Sequence, residues 1–236
     1  MVKSSEEENT VKPERIEEGI YLVGGGDISD SRDCMVYVLD LGELVMIDTG
    51  AGLGTSTILA NMTYLGLNPE RLSTIILTHC HIDHVGGAHE FRKRYEARII
   101  MHEADAGVVE RGDTIMTAAR WYGISFAPLK IDLLLSKDEG RILVGQQEII
   151  CIHTPGHTPG SISVYLDKSG KRVLFGQDIH GPLLREFGSN VHHWQTSMDK
   201  LLALQADVLC EGHFGVYRTK EKVRSYIEHY LAAYRD

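Results

Sequence analysis

Residues 78–87 read Thr78-His79-Cys80-His81-Ile82-Asp83-His84-Val85-Gly86-Gly87, with three imidazoles and a carboxylate inside six consecutive positions. On an extended strand end, side chains two apart point the same way, so His79 and His81 can face one ion together. Asp83 and His84 are adjacent and diverge unless the chain turns sharply between them. A single tetrahedral ion is a poor fit for all four groups, because zinc centres take three or four N, S or O ligands and catalytic ones keep a position open for water. Two ions side by side use all four.

Outward from this stretch, apolar runs alternate with turn signals. Ser73 to Leu77 is β-branched and apolar and leads straight into the cluster, and helical patterning runs from Gly87 to about Tyr95. Upstream, Ile20 to Val23, Met35 to Leu39 and Leu44 to Ile47 read as strands, followed by a helix from about Ser56 to Leu65 that stops at Gly66. Downstream, Arg98 to Met101, Arg141 to Val144, Glu148 to Ile152, Ser161 to Tyr165 and Arg172 to Phe175 repeat the strand pattern. Helices from about Thr196 to Gln205 and Lys220 to Tyr230 close the chain. Strands followed by helices in both halves predict an α/β chain with helices packed outside stacked sheets. Between the halves, Glu103 to Asp132 reads as less regular. Its aromatic pair Trp121-Tyr122 fits either a lid or core packing.

Three further donors follow strand-like runs on glycine-adjacent loops: His157 in His153-Thr154-Pro155-Gly156-His157, Asp178 in Phe175-Gly176-Gln177-Asp178, and His213 in Glu211-Gly212-His213. Taken singly, each reads as a turn residue or a hydrogen-bonded histidine. His153, His180, His192 and His193 read as ordinary hydrogen-bonded histidines. His102 and Glu103 are pocket lining or a strand end, and Asp48 before Thr49-Gly50 reads as the cap of the following turn. The four cysteines, Cys34, Cys80, Cys151 and Cys210, form no C-x-x-C pair and read as buried thiols.

In that order of motifs the chain resembles the metallo-β-lactamase superfamily, and within it the glyoxalase II-like branch of metal-dependent hydrolases. The family's H-x-H-x-D-H falls on His79 to His84, its loop histidine on His157, its bridging aspartate on Asp178 and its final histidine on His213. Asp48 matches an upstream aspartate that braces the metal loop. The resemblance implies a four-layer αβ/βα sandwich with the site at one edge between the sheets. It further implies one ion on His79, His81 and His157, a second on Asp83, His84 and His213, and Asp178 between them. Two divalent ions, zinc first, with iron or manganese as alternatives, and a metal-bridging hydroxide would then hydrolyse a small ester, thioester, lactone or related substrate, with Asp83 assisting proton transfer. Gln177 departs from the family's usual neighbour of the bridging aspartate. The stretch from His213 to Asp236 is shorter than the helical glutathione-recognition domain of true glyoxalase II, so a glutathione thioester is not the expected substrate.

Length and composition agree with an enzyme acting on small molecules. At 236 residues and 43% hydrophobic content the chain can bury a full core, expected as one domain over residues 16–236 behind a mobile N-terminal arm, residues 1–15. No apolar run approaches the roughly 20 residues that span a bilayer, and Met1 to Glu8 is polar and acidic, so a cytoplasmic protein without membrane attachment is expected. A net charge of -9 argues against a nucleic-acid partner, and Arg92-Lys93-Arg94 reads as a solvated helix face. The main alternative function is a mononuclear iron enzyme like the persulfide dioxygenases, with His79, His157 and Asp178 as its two-histidine, one-carboxylate set. A flavodiiron role is disfavoured, since that motif has Glu where His81 stands, and a nuclease role is disfavoured by the acidic balance.

Overall fold

Strict alternation inside short, wholly apolar strands sets the layering. In the computed structural model, which describes residues 12–234, β1 (Glu14–Glu17), β2 (Ile20–Gly24), β3 (Val36–Asp40), β4 (Leu44–Ile47), β5 (Leu72–Ile76), β6 (Arg98–His102) and β7 (Leu133–Leu135) form a seven-stranded sheet in that spatial order. The pairs β4–β5, β5–β6 and β6–β7 are parallel and the earlier ones antiparallel. A second, six-stranded sheet contains β8 (Glu139–Val144), β9 (Gln147–His153), β10 (Ile162–Lys168), β11 (Lys171–Gln177), β12 (Val208–Glu211) and β13 (Val216–Arg218), in the order β13-β12-β11-β10-β9-β8. In this sheet β11–β12 is the one parallel pair.

Because successive side chains point to opposite faces, Tyr37, Leu39, Val45 and Ile47 meet Val164, Val173 and Phe175 of the other sheet in one apolar cluster. Tyr37 and Phe175 touch edge to face with ring centroids 5.3 Å apart, a contact worth about 1 kcal/mol beyond its buried area. The alternate residues Val36, Val38, Leu44 and Met46 face outward onto helices α1 (Thr55–Tyr64), α3 (Ala88–Tyr95) and α4 (Glu103–Arg111) through Ile58, Met62, Phe91 and Val108. On the far side Leu174 and Leu209 pack under α6 (Val191–Ala203) and α7 (Lys220–Ala233). Three apolar interfaces therefore separate four layers, the αβ/βα sandwich expected from the sequence. Cys34 and Cys80 lie in the first interface and Cys151 and Cys210 between the sheets, all four buried as free thiols. Among the described residues no helix is long and apolar enough to cross a membrane.

Several boundaries differ from the sequence reading. Residues 1–11 of the expected arm lie outside the described residues, but Glu14 and Arg15 belong to β1, paired with Leu22 and Tyr21. The segment read as irregular between Glu103 and Asp132 contains α4 and the short helix α5 (Ala119–Tyr122). Gly107 and the acidic start of α4 masked its periodicity. The helix expected from Thr196 starts at Val191, because the Asn190 side chain accepts from the His193 amide and caps a first turn that β-branched and imidazole residues disguised. Arg92 is not merely solvated: its guanidinium reaches Asp132 at 2.6 Å.

Candidate metal centre

The sharp turn that the opening stretch requires is a single helical turn, α2 (Ile82–Val85), beginning directly after His81. His79 sits in a bend three residues past the end of β5, not on the extended strand end read from the sequence, and His81 is extended just before the helix; Asp83 and His84 ride on the helix itself. Packing holds the turn in place: a Cβ on Gly86 would lie 2.3 Å from the Ala51 carbonyl oxygen, and one on Gly87 as close to that of Thr49. Only hydrogen fits at either position. The remaining donors come from the carboxyl ends of β9, β11 and β12. Backbone bonds from Ile162 to Thr78 (2.8 Å) and from Met35 to Gly212 (2.7 Å) tie the two sheets together beside the site.

The ring nitrogens His79 Nε2, His81 Nδ1 and His157 Nε2 converge: His81 Nδ1 is 3.1 Å from His79 and 2.9 Å from His157. Asp178 Oδ2 stands 3.6 Å from His79 Nε2 and 3.3 Å from His157 Nε2. Its other oxygen, Oδ1, lies 3.3 Å from His84 Nε2 and 3.4 Å from His213 Nε2, and Asp83 Oδ2 lies 3.7 and 3.4 Å from the same two nitrogens. The seven residues singled out in the sequence thus meet as two groups of donors, and Asp178 gives one oxygen to each.

Outer contacts orient these donors. His84 Nδ1 faces the Asp48 carboxylate at 2.7 Å and His157 Nδ1 faces the Pro182 carbonyl at 3.0 Å, and both oxygens only accept. A proton therefore sits on Nδ1 in each ring and leaves Nε2 as the inward-facing nitrogen, the one that can give its lone pair to a cation once any proton there is displaced. Asp48 also accepts from the Thr78 amide (2.8 Å) and hydroxyl (2.7 Å) and from the Gln177 side-chain amide. Gln177, the departure from the family pattern, is thus a brace for Asp48. Both Asp48 (φ 57°) and Gln177 (φ 49°) hold left-handed backbone, strain concentrated where the loops must turn toward the site.

The electrostatics separate the two groups. Burial pushes His79 well below the ordinary imidazole pKa, and burial together with the neighbouring His157 takes His81 down to about 3, so both rings are neutral and ready to donate lone pairs. Burial opposes charge on His84 and His213 as well. Around His84 the carboxylates of Asp178, Asp48 and Asp83 win, holding it well above the usual value. Asp178 and Asp83 raise His213 to about 10. Burial likewise raises Asp83 and Asp178, yet His84 and then His213 outweigh it, leaving Asp83 at about 2 and Asp178 well below the carboxylate range. In the metal-free chain, protons on His84 and His213 thus balance the carboxylates where a second cation would sit. His84 Nε2 and Asp178 Oδ1 are buried with no hydrogen-bond partner among the described residues, which fits divalent cations shared by nitrogen and oxygen donors. Burial raises the Cys34 and Cys80 thiols far above neutrality; Cys80 Sγ turns to the Met116 carbonyl at 3.6 Å, and Cys34 lies within reach of Asp48 and His84.

Not every contributor gave a signal in the sequence. Asp105 of α4 is buried and accepts from the Cys80 amide (3.0 Å), the Thr158 hydroxyl (2.6 Å) and the Gly160 amide (2.7 Å), joining the His79–His81 strand end to the His157 loop. Asp105→Ala should cost about 3 kcal/mol in chemical unfolding, since it strands three buried donors. A loss under 1 kcal/mol would show that the two loops are held by other means. Tyr122, Phe187 and Phe214 join the donors around a cavity of about 410 Å³. His180 also lines it, its Nδ1 held by buried Glu211 at 2.9 Å. His153 instead stacks on His102 with centroids 3.8 Å apart, away from the centre.

The profile of the metallo-β-lactamase superfamily matches residues 30–213, a span that holds all seven donors. A probable metallo-hydrolase of Bacillus subtilis is 30% identical over 153 residues, 63% of this chain and 70% of that protein. An acyl-coenzyme A thioesterase of Homo sapiens is 26% identical over 208 residues, 76% and 72% of the two chains. A hydroxyacylglutathione hydrolase of Cereibacter sphaeroides is 30% identical over 188 residues, 79% of this chain and 63% of that one. The solved structure of a metallo-β-lactamase from Cronobacter sakazakii superposes with a TM-score of 0.80 at 23% identity, covering 95% of this chain and 93% of that one, a likeness of fold. The chain belongs to the metallo-β-lactamase superfamily of hydrolytic enzymes.

Proposed function

We propose that the protein is a dinuclear metal hydrolase of a small ester, thioester or lactone. The observation that carries this reading is the division of Asp178, with Oδ2 toward His79 and His157 and Oδ1 toward His84 and His213. On this reading His79, His81 and His157 would hold one ion and Asp83, His84 and His213 the other, with Asp178 offering one oxygen to each group. Zinc suits a site of imidazole and carboxylate without thiolate. When bound, the two ions supply an activated water as nucleophile and an electrophile for the carbonyl oxygen.

The chain's own residues do the rest. Asp48, Thr78 and the Pro182 carbonyl fix the histidine rings, so that the donors need no rearrangement as charge develops. Asp83 Oδ2, an anion at neutral pH, faces the same space and is placed to take a proton from the attacking water and pass it to the leaving oxygen or sulfur. Water adds to the carbonyl carbon, the C–O or C–S bond breaks, and a carboxylic acid and an alcohol or thiol leave.

Zinc-loaded protein assayed against matched acyl esters, thioesters and lactones should turn over at least one class, and chelation should abolish that turnover. Oxygen consumption with a persulfide by protein purified anaerobically with one iron would instead support the mononuclear alternative and overturn this reading.

A further inference from the structure

The cavity over the metal centre has two aromatic walls, one attached to each group of donors. On one side Trp121 meets Phe187 edge-on with centroids 5.0 Å apart, and Phe187 meets His81 at 4.8 Å. On the other, Phe214 packs edge-on against His180 at 4.7 Å, and His180 lies 5.2 Å from His213. Phe187 is buried, but Trp121 is 60% and Phe214 56% exposed. A lone exposed aromatic residue is unremarkable; two lining the same cavity above a reactive centre are the makings of an apolar subsite.

The charges of the lining point the same way. Apart from the centre itself and His180, the cavity is bounded by Ala118, Trp121, Tyr122, Pro182, Phe187 and Phe214, with no Lys or Arg among them. Phosphate and carboxylate handles are ordinarily gripped by guanidinium or ammonium groups. A volume of about 410 Å³ suits a short acyl group at the lower end of ligand-pocket sizes.

Resting on the hydrolase reading, we propose that the enzyme selects neutral, apolar acyl groups, gripped between Trp121 and Phe214, and recognises no ionic handle on the substrate. Selectivity then follows chain length, because each methylene drawn from water onto these rings adds about fourfold in binding. A terminal carboxylate on the acyl chain removes that gain, since it would be desolvated against aromatic rings with no cation to meet it.

The test uses zinc-loaded protein with p-nitrophenyl acetate, butyrate and hexanoate and the mono-adipoyl ester, which matches hexanoyl in length but ends in a carboxylate. The proposal expects kcat/KM to rise at least about tenfold from acetyl to hexanoyl and to fall back for adipoyl. The double variant Trp121→Ala/Phe214→Ala, altered at exposed positions and checked for retained metal, should bring the hexanoyl-to-acetyl ratio below about threefold. Binding is read separately through the emission of Trp121, because Trp194 is only 1% exposed. Hexanoate should quench it saturably, adipate should not, and Trp121→Phe should remove the signal. A flat series, an adipoyl ester as good as hexanoyl, or a double variant that keeps the chain-length slope overturns the proposal. Saturable quenching by hexanoate alone, without turnover of any ester, supports the apolar subsite while removing the hydrolase reading beneath it.

Discussion

Asp178→Ala should strip the protein of its bound ions on dialysis and lower kcat/KM by at least about a thousandfold, a loss of about 4 kcal/mol in transition-state stabilisation. Among the described residues Asp178 is the only one whose two carboxylate oxygens face the two donor groups separately, at 3.3 to 3.6 Å from four ring nitrogens. Its removal leaves His84 and His213 opposed by Asp83 and Asp48 alone and takes one ligand from each ion. Asp178→Asn keeps the shape and one acceptor oxygen but cannot balance two cations, so it should retain at most one ion. Metal content per chain, measured beside turnover, checks both variants. A variant that keeps two ions and normal turnover would remove Asp178 from the centre.

Asp48→Ala should be the most damaging change outside the ligands themselves. The carboxylate is fully buried and accepts from His84 Nδ1, from the Thr78 amide and hydroxyl, and from Gln177, so its loss strands four buried donors at once. Breaking a buried pair of this kind costs about 3–5 kcal/mol, and loosening a ligand's outer partner lowers metal affinity by about 10–100-fold. The pH dependence follows from His84, whose folded pKa is raised. A raised histidine pKa stabilises the fold fully below its unfolded value of about 6.5 and loses that contribution as pH climbs through the folded value. In metal-free protein, therefore, the stability gap between wild type and Asp48→Ala should be widest below pH about 6.5 and narrow at higher pH. Urea unfolding across that range measures it. A gap independent of pH would mean that Asp48 supports the loop without supporting the His84 charge.

The contrast between what the sequence made legible and what it hid is physical. Metal donors come mostly from His, Asp, Glu and Cys, and here the candidates cluster on loops and turns beyond strand ends, so His79, His81, Asp83, His84, His157, Asp178 and His213 stood out by residue type and position. The four layers were equally legible, because strands buried on both faces are apolar throughout, as Val36 to Leu39 and Leu44 to Ile47 are. Asp105 and Gln177 act through partners 25 to 129 positions away, and an ordinary carboxylate or amide carries no mark of that. The cavity walls were legible in part, since Trp121-Tyr122 drew notice as a lid candidate, but Phe187 and Phe214 sit in loops whose approach to the centre depends on how the two sheets pack. The helix α4 was lost to a central glycine, although its His102 cap closes a strand whose register was plain.

The two donor groups are proposed as two metal half-sites sharing Asp178. The most direct test of that proposal is anomalous diffraction at the zinc edge from crystals of the zinc-loaded protein. The account predicts two peaks per chain: one among His79, His81, His157 and Asp178 Oδ2, the other among Asp83, His84, His213 and Asp178 Oδ1. A single peak confined to the first group, or none at either, would contradict it.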